Sequence, residues 1–461
     1  MLSTPAKWWS RMWQRRSDSP AKPQRYRALS SETPMLKVVP VLMTGLFVIA
    51  GSACSQTAEQ ETLGGADRHE TTEQDRGYLL GDWGGLRGQL GEIGVNLDVQ
   101  YISDSLWGSK SGPPSQFEIW NRVRATVDID LGALLHWDGT YFHATGLWQG
   151  GGNLGERLGL IASPSGMSSQ QTFRLDSWWL EKRWRHDQIV VRAGQFAGQD
   201  FYGAQHYAAS FIFEPMGYAL GNVSNTFESF DPPSTPAVEI RVSPLRHMYV
   251  KSMVLAAEHA PFSHNPTGFV PQFRGTAMNV SEIGFSPGKN ASSVRAFDNV
   301  DTRKGYSGLY QFGAAYNPET FNNPANGRSR SGDYLLYWMA SQALWRNDPR
   351  EAKGLDATFA LDWSPSDVNR NNRLMTAGLR FNEPLSLPIH NTISIGYVQN
   401  GLSSQFLSPG APPWKDERGV EINSLFLIRS LLIQPVVQFY DNVGGRGGRA
   451  VVVGFRTKLE L

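Results

Sequence analysis

The chain of 461 residues has one cysteine, Cys54. A single thiol excludes an intrachain disulfide and any cysteine-rich metal site. Charge is scarce as well: Asp, Glu, Lys and Arg make up 18% of the residues. Neither sign prevails. Eight of the 43 Lys and Arg and two of the 42 Asp and Glu lie in residues 1–54, so the rest carries 35 basic against 40 acidic groups, a net of −5. Without a basic excess there is nothing to hold phosphates, which excludes nucleic acid as a partner. Beyond residue 54 no apolar run reaches the length a membrane-spanning helix needs, about 20 residues. There is no nucleophile elbow and no paired-histidine metal spacing; His136 and His143 read as strand-end or loop residues. The glycine runs Gly150–Gly152 and Gly444–Gly448 have no βαβ unit around them and read as turns. The expectation is therefore a non-enzyme that needs no cofactor or metal.

Aromatics, by contrast, are plentiful at 11%, and there are 47 glycines. Near the start, Val38 to Ala50 form an apolar run between Lys37 and the small residues Gly51, Ser52 and Ala53. The run is too short to span a bilayer and fits the core of an export signal cut after Ala53. Residues 1–53 are thus read as an export region, with Met35 as a second candidate start. Cys54 could also be read as a lipidation site, against which Gly51 counts. Residues 54–77 are polar and read as a flexible mature N-terminus. No linker or composition shift divides residues 78–461, which read as one unit.

That unit is organised around residues 79–101, LLGDWGGLRGQLGEIGVNLDVQY. The first half reads as a short helix, capped by Asp82 and ended by Gly94. The second half alternates: Val95, Leu97, Val99 and Tyr101 on one side, Asn96, Asp98 and Gln100 on the other. This is a strand with one apolar and one wet face. The pattern returns at 121–130, 139–149, 172–184, 187–196, 236–243, 246–257, 277–286, 308–317, 333–346, 353–364, 372–381, 390–400, 419–429, 431–440 and 449–461. In strand 333–346 both faces are apolar. The count is roughly sixteen strands of about ten residues, the length of a tilted membrane-crossing strand. Short connections, at Arg185–His186 and Ser430, alternate with long ones, at 150–171, 197–235 and 401–418. Trp107, Trp137, Trp148, Trp184, Trp345 and Trp363 lie near strand ends, as an interfacial girdle requires. The fold class implied is all-β: a transmembrane antiparallel β-barrel of about 16 strands with a short N-terminal helix, set in outer-membrane lipid.

LLGDWGGLR at 79–87 resembles the opening of the carbohydrate-selective porins of OprB type. Further pieces follow in the family's order: RLDSWWLEKRW (174–184), VVRAGQF (190–196), PAVEIRVSP (236–244), EIGFSP (282–287), YQFGAAYNPETF (310–321), GLDATFALDWSP (354–365), LLIQPVVQFYDNVGG (431–445) and VVVGFRTKLEL (451–461). The resemblance covers about residues 78–461. Val443 departs from it, standing where the family often has proline, and so do Val436 and Val437, which replace a more polar pair. The resemblance implies passive passage of mono- or oligosaccharides through a water-filled barrel; a homo-oligomer, such as a trimer, is left open. The alternatives are a general or ion-selective porin and a secreted carbohydrate-binding β-protein.

A sugar offers adjacent hydroxyls and an apolar C–H face, which charged side chains and aromatic rings can meet. The wet strand faces supply Arg122, Arg124, Asp128 and Asp130, then Trp179, Glu181 and Arg183, then Arg192, then Glu239 and Arg241. The resemblance adds Arg87 near the lumen. Arg87, Glu181 and Arg192, helped by Trp179, are expected at the narrowest part. Any of these residues could equally be a solvated wall charge.

Overall fold

The alternating faces are carried round a ring. In the computed structural model of the protein, sixteen antiparallel strands form a closed barrel. Each strand pairs with its neighbours in the chain, and the first pairs with the last. The structure describes residues 78–111, 115–198, 201–203, 207–217, 234–258, 261–287, 306–323, 325–407 and 410–461. The export region, Cys54 and the polar segment to residue 77 lie outside them. The strands are β1 (Val95–Lys110), β2 (Gln116–Asp130), β3 (Thr140–Gly151), β4 (Thr172–Trp184), β5 (Ile189–Phe196), β6 (Thr235–Leu245), β7 (Met248–Ala256) and β8 (Ala277–Phe285). They continue as β9 (Gly308–Asn322), β10 (Ser329–Arg346), β11 (Gly354–Trp363), β12 (Asn371–Asn382), β13 (His390–Leu402), β14 (Glu417–Ile428), β15 (Leu431–Asp441) and β16 (Arg449–Glu460). Among the described residues no helix is long and apolar enough to cross a membrane.

Every expected strand is present, and the faces fall as the alternation requires. Leu361, Trp363, Leu379 and Phe381 are exposed on the outside, while Asp356, Asp362 and Arg380 are buried inside. All six tryptophans expected in a girdle are exposed. The two apolar faces of β10 also have an explanation. Leu336 and Trp338 face out, while Leu335, Tyr337 and Met339 join an apolar cluster inside the barrel. Their inner neighbours include side chains of a loop rather than water alone.

The opening segment departs from expectation in one respect. Helix α1 is Leu86–Glu92, and Gly85 stands at its N-cap with no side-chain bond. Asp82 serves the turn before the helix, accepting from Gly84 N–H at 3.1 Å. Gly94 does end the helix, at φ +84°; a Cβ there would meet Ala133 Cβ at 2.8 Å. The first described residues and the C-terminal residues meet on this rim. Leu79 N–H donates to Glu460 O, and Leu461 N–H to Val99 O. Connections on this side are mostly tight, as at Arg185–Gln188 and Arg429–Ser430, or carry a short helix, α2 (Leu131–Leu135). The opposite rim carries the long connections 152–171 and 197–234, whereas the connection between β8 and β9, residues 286–307, joins strand ends on this side.

Candidate functional site

The β4–β5 hairpin sets Glu181 opposite Arg192, and β6 sets Glu239 on the other side of Arg192. All three point into the barrel. Arg192 donates to Glu181 Oε2, and to Glu239 Oε1 at 2.9 Å. Arg183 donates to the other Glu181 oxygen at 2.5 Å. One guanidinium is thus fixed between two carboxylates. Aromatic rings hold it from the side: its Cζ is 3.8 Å from the Phe201 ring centre and 4.7 Å from that of Trp179. His143 stacks on Trp179 at 4.6 Å with 8° between planes. Its Nδ1 lies 2.7 Å from Asp128 Oδ1. The next rung of the same wall carries Arg241 opposite Lys251, with Glu282 beyond. Lys251 lies 2.9 Å from Glu282 and donates to the Phe201 carbonyl. The wall therefore fixes the ring that lies over Arg192.

Two long loops fold into the barrel from the far rim. Residues 152–171 contain helix α3 (Leu154–Leu158). The second loop, after β5, contains a 3-10 turn, Tyr207–Ser210, and helix α4 (Glu214–Gly217). Wall carboxylates accept the backbone N–H groups that these loops could not otherwise satisfy in a barrel interior. Glu417 accepts from Ile161 at 2.9 Å and Ala162 at 2.8 Å. Glu421 accepts from Ile212 at 2.9 Å and Phe213 at 2.8 Å. Gln438 donates to Pro164 O and Gln434 to Ser210 O. The loops also bond to one another, Gly166 N–H to Ile212 O and Glu214 N–H to Ser163 O. Phe211, Ile212, Phe213 and Met216 are buried against the wall. Each contributes about 2 kcal/mol of apolar burial, set against the entropy of ordering the loop. Burial pushes the Glu214 carboxyl up to about 7, against a backbone N–H of Ser163 that pulls it down.

The structure thus brings Trp179, Glu181, Arg192, Glu239 and Arg241 to one wall, with Asp128 joined through His143. Arg122 is buried on β2, donating to Gln149 Oε1 at 2.9 Å and Met167 O at 3.4 Å, and so bears on the first loop. Arg124 faces inward between Leu147 and Gln100 in the register. Arg87 is corrected. It donates to Leu461 O at 2.8 Å and lies over the rings of Tyr78 and Trp83, so it ties the opening segment to the C-terminal residue rather than joining Glu181 and Arg192. With an imidazole stacked on it and a guanidinium over it, the Trp179 ring orients Arg192. His143 is inward-facing in mid-strand, not at a strand end or in a loop. Sequence reasoning missed Phe201 and the seating of the loops. The available signal was the apolar run Phe211–Phe213 inside a long connection.

The carbohydrate-selective porin family OprB matches residues 120–461 of the chain. Porin B of Pseudomonas aeruginosa is 29% identical over 134 residues, a stretch that covers 27% of this chain and 30% of that protein. In structure, the chain is similar to Pseudomonas putida OprB at high pH. There the TM-score is 0.73 at 18% identity, covering 84% of this chain and 99% of the other. The low-pH structure of the same protein gives a TM-score of 0.54 at 16% identity, covering 83% and 98%.

Proposed function

The chain belongs to the OprB family of carbohydrate-selective porins, and from that premise we propose that it passes sugars passively across the outer membrane. The family is one of channels rather than of enzymes. Long loops face outward and the rim with both chain ends faces the periplasm, as in outer-membrane barrels generally. One observation carries the choice of sugars over ions: Arg192 fixed between Glu181 and Glu239 on a wall facing the lumen. Donors and acceptors alternate there, which suits adjacent hydroxyls, and local charge is largely cancelled, which gives a small ion little to hold. Hydrogen bonds to charged groups contribute about 1.5–3 kcal/mol each. Binding on that scale is weak enough for a solute to leave.

Planar-bilayer conductance with glucose as blocker tests this. Glu181→Ala and Arg192→Ala are expected to weaken the block while leaving the barrel heat-modifiable on gels. Unaltered block in both variants would assign these residues to the wall alone. No block by any of a panel of sugars, in a channel that conducts salt, would favour a general porin.

A further inference from the structure

We propose that the outer wall between β9 and β14 binds a lipid of the outer leaflet whose headgroup carries phosphate, with an acyl chain in an apolar cleft and the phosphate on Arg418 and Arg373. The inference concerns the outside of the barrel and is independent of the solute inside.

Cross-strand pairing builds one continuous outward row, in the order Phe312, Trp338, Leu361, Met375, Gln399, Arg418. Neighbouring strands contribute one residue each, so the row is about 24 Å long. It also climbs. Phe312 is the fifth residue of β9, counted from the rim of Leu461, whereas Arg418 is the second residue of β14, at the opposite rim. Polarity rises in the same direction: four apolar side chains, an amide, then a guanidinium. The apolar part is concave. Phe312, Leu336, Trp338, Leu361, Trp363 and Met375 line a cleft of about 390 Å³, bounded at its upper end by Gln399, Arg373 and Asp416. A flat wall touches a passing acyl chain on one side; a cleft surrounds it and gains more contacts per methylene.

The upper end is held in place. Gly401, opposite Arg373, lets that side chain lie against the wall: a Cβ there would meet Arg373 Cβ at 2.9 Å and its Nε at 2.7 Å. Arg373 Nη2 lies 3.7 Å from Asp416 Oδ1. Asp416 Oδ2 accepts from Gln399 at 2.7 Å, and Tyr397 OH donates to Gln399 Oε1 at 2.8 Å. Asp441, opposite Arg418 on β15, lies 3.6 Å from Arg449. Both aspartates beside Arg418 are thus engaged, and among the described residues Arg418 itself has no ion pair. Three arginines stand here against two aspartates, which leaves the rim positive directly above an apolar cleft. Inorganic phosphate answers only the charge, and a zwitterionic lipid answers chiefly the cleft. A lipid with an anionic phosphate answers both, and a guanidinium is well shaped to take phosphate.

The test is native mass spectrometry of the detergent-purified barrel, delipidated and titrated with dipalmitoyl phosphatidate or dipalmitoyl phosphatidylcholine, which share their chains and differ in headgroup charge. The wild type is expected to retain phosphatidate at several-fold lower lipid concentration. Arg418→Gln is expected to raise that concentration roughly threefold, and Arg418→Lys to keep most of the preference. Met375→Trp, which fills the cleft, is expected to weaken retention of both lipids, and excess inorganic phosphate is expected to displace neither. Equal retention of the two lipids by the wild type overturns the proposal. So does phosphatidate retention unchanged in Arg418→Gln or in Met375→Trp, and so does displacement by inorganic phosphate. A lipid-free wild-type dimer that Met375→Trp dissociates would give the cleft to a second copy of the chain and overturn it as well. If the variants fail to assemble, the comparison of the two lipids on the wild type decides alone.

Discussion

Adjacent residues on one strand of this barrel live in different solvents. Leu379 is exposed on the outside, where the medium is lipid; Arg380 is buried inside and donates to Asp356 Oδ2 at 2.8 and 3.1 Å. Asp356 is shared with Arg346. Leu379→Arg is therefore expected to lower the folding free energy by about 2–4 kcal/mol if the position lies near the bilayer midplane. A urea titration of folding into lipid vesicles measures it, and no change in midpoint would contradict the assigned facing. Such alternation was fully legible in the sequence, because the period of two is a local property. The roles of Arg87 and Trp179 were not. Each depends on a partner brought in by the fold, Leu461 for the one and His143 with Arg192 for the other. The inward glycines lay between these cases: their face was readable, their reason was not. A Cβ at Gly378 would meet Met216 Cε at 2.8 Å and Phe211 Cζ at 2.9 Å, so the wall is pared back to seat the loop.

Strands and loops are specified in different ways here. A strand such as β11 declares itself through its own residues. The segment Phe211–Gly217 has meaning only against β11, β12, β13 and β14, where its side chains are buried and its N–H groups are accepted by Glu421. Within this seat Glu214 gives a pH dependence. It makes no ion pair among the described residues; Tyr440 of β15 lies within its field, and Glu421 of β14 holds the N–H of the preceding residue, Phe213. The Glu214 carboxyl moves from an ordinary 4.5 to about 7 on seating, chiefly by burial. The seated loop thus prefers the protonated acid. Seating is strongest below 4.5, weakens as pH rises from 4.5 through 7, and is level above that. Mean conductance and open-channel noise are expected to rise across that window, and Glu214→Gln to flatten the rise. Conductance that falls over the same window, or a rise that persists in Glu214→Gln, would contradict this seating.

Closure is a property of the whole chain, since no single strand contains it. With all connections joining antiparallel neighbours, an even number of strands returns the last one antiparallel to the first, with both chain ends on one rim. Sixteen strands satisfy this, and β1 pairs with β16 over Gln100–Lys110 and Ala450–Glu460. At the seam the inner rung is Asp104 with Arg456, whose Nε and Nη2 donate to the two carboxylate oxygens at 2.7 and 2.8 Å. The next rung, Ser103 opposite Thr457, faces outward. A slip by one residue would put Arg456 into lipid and Phe455 into the lumen, so the pair at Asp104 and the outer apolar face fix the same register. This gives a direct test. In a background where Cys54, the only cysteine, is replaced by serine, Ser103→Cys with Thr457→Cys should form a disulfide, because directly opposed residues bring their Cβ atoms to about 5 Å. The linked chain should migrate as a closed loop on denaturing gels until reduced. Ser103→Cys with Lys458→Cys, one residue out of register and on the opposite face, should not link. Linkage in the second pair and not the first would mean that the barrel closes in another register, and would move the inner charges of both seam strands with it.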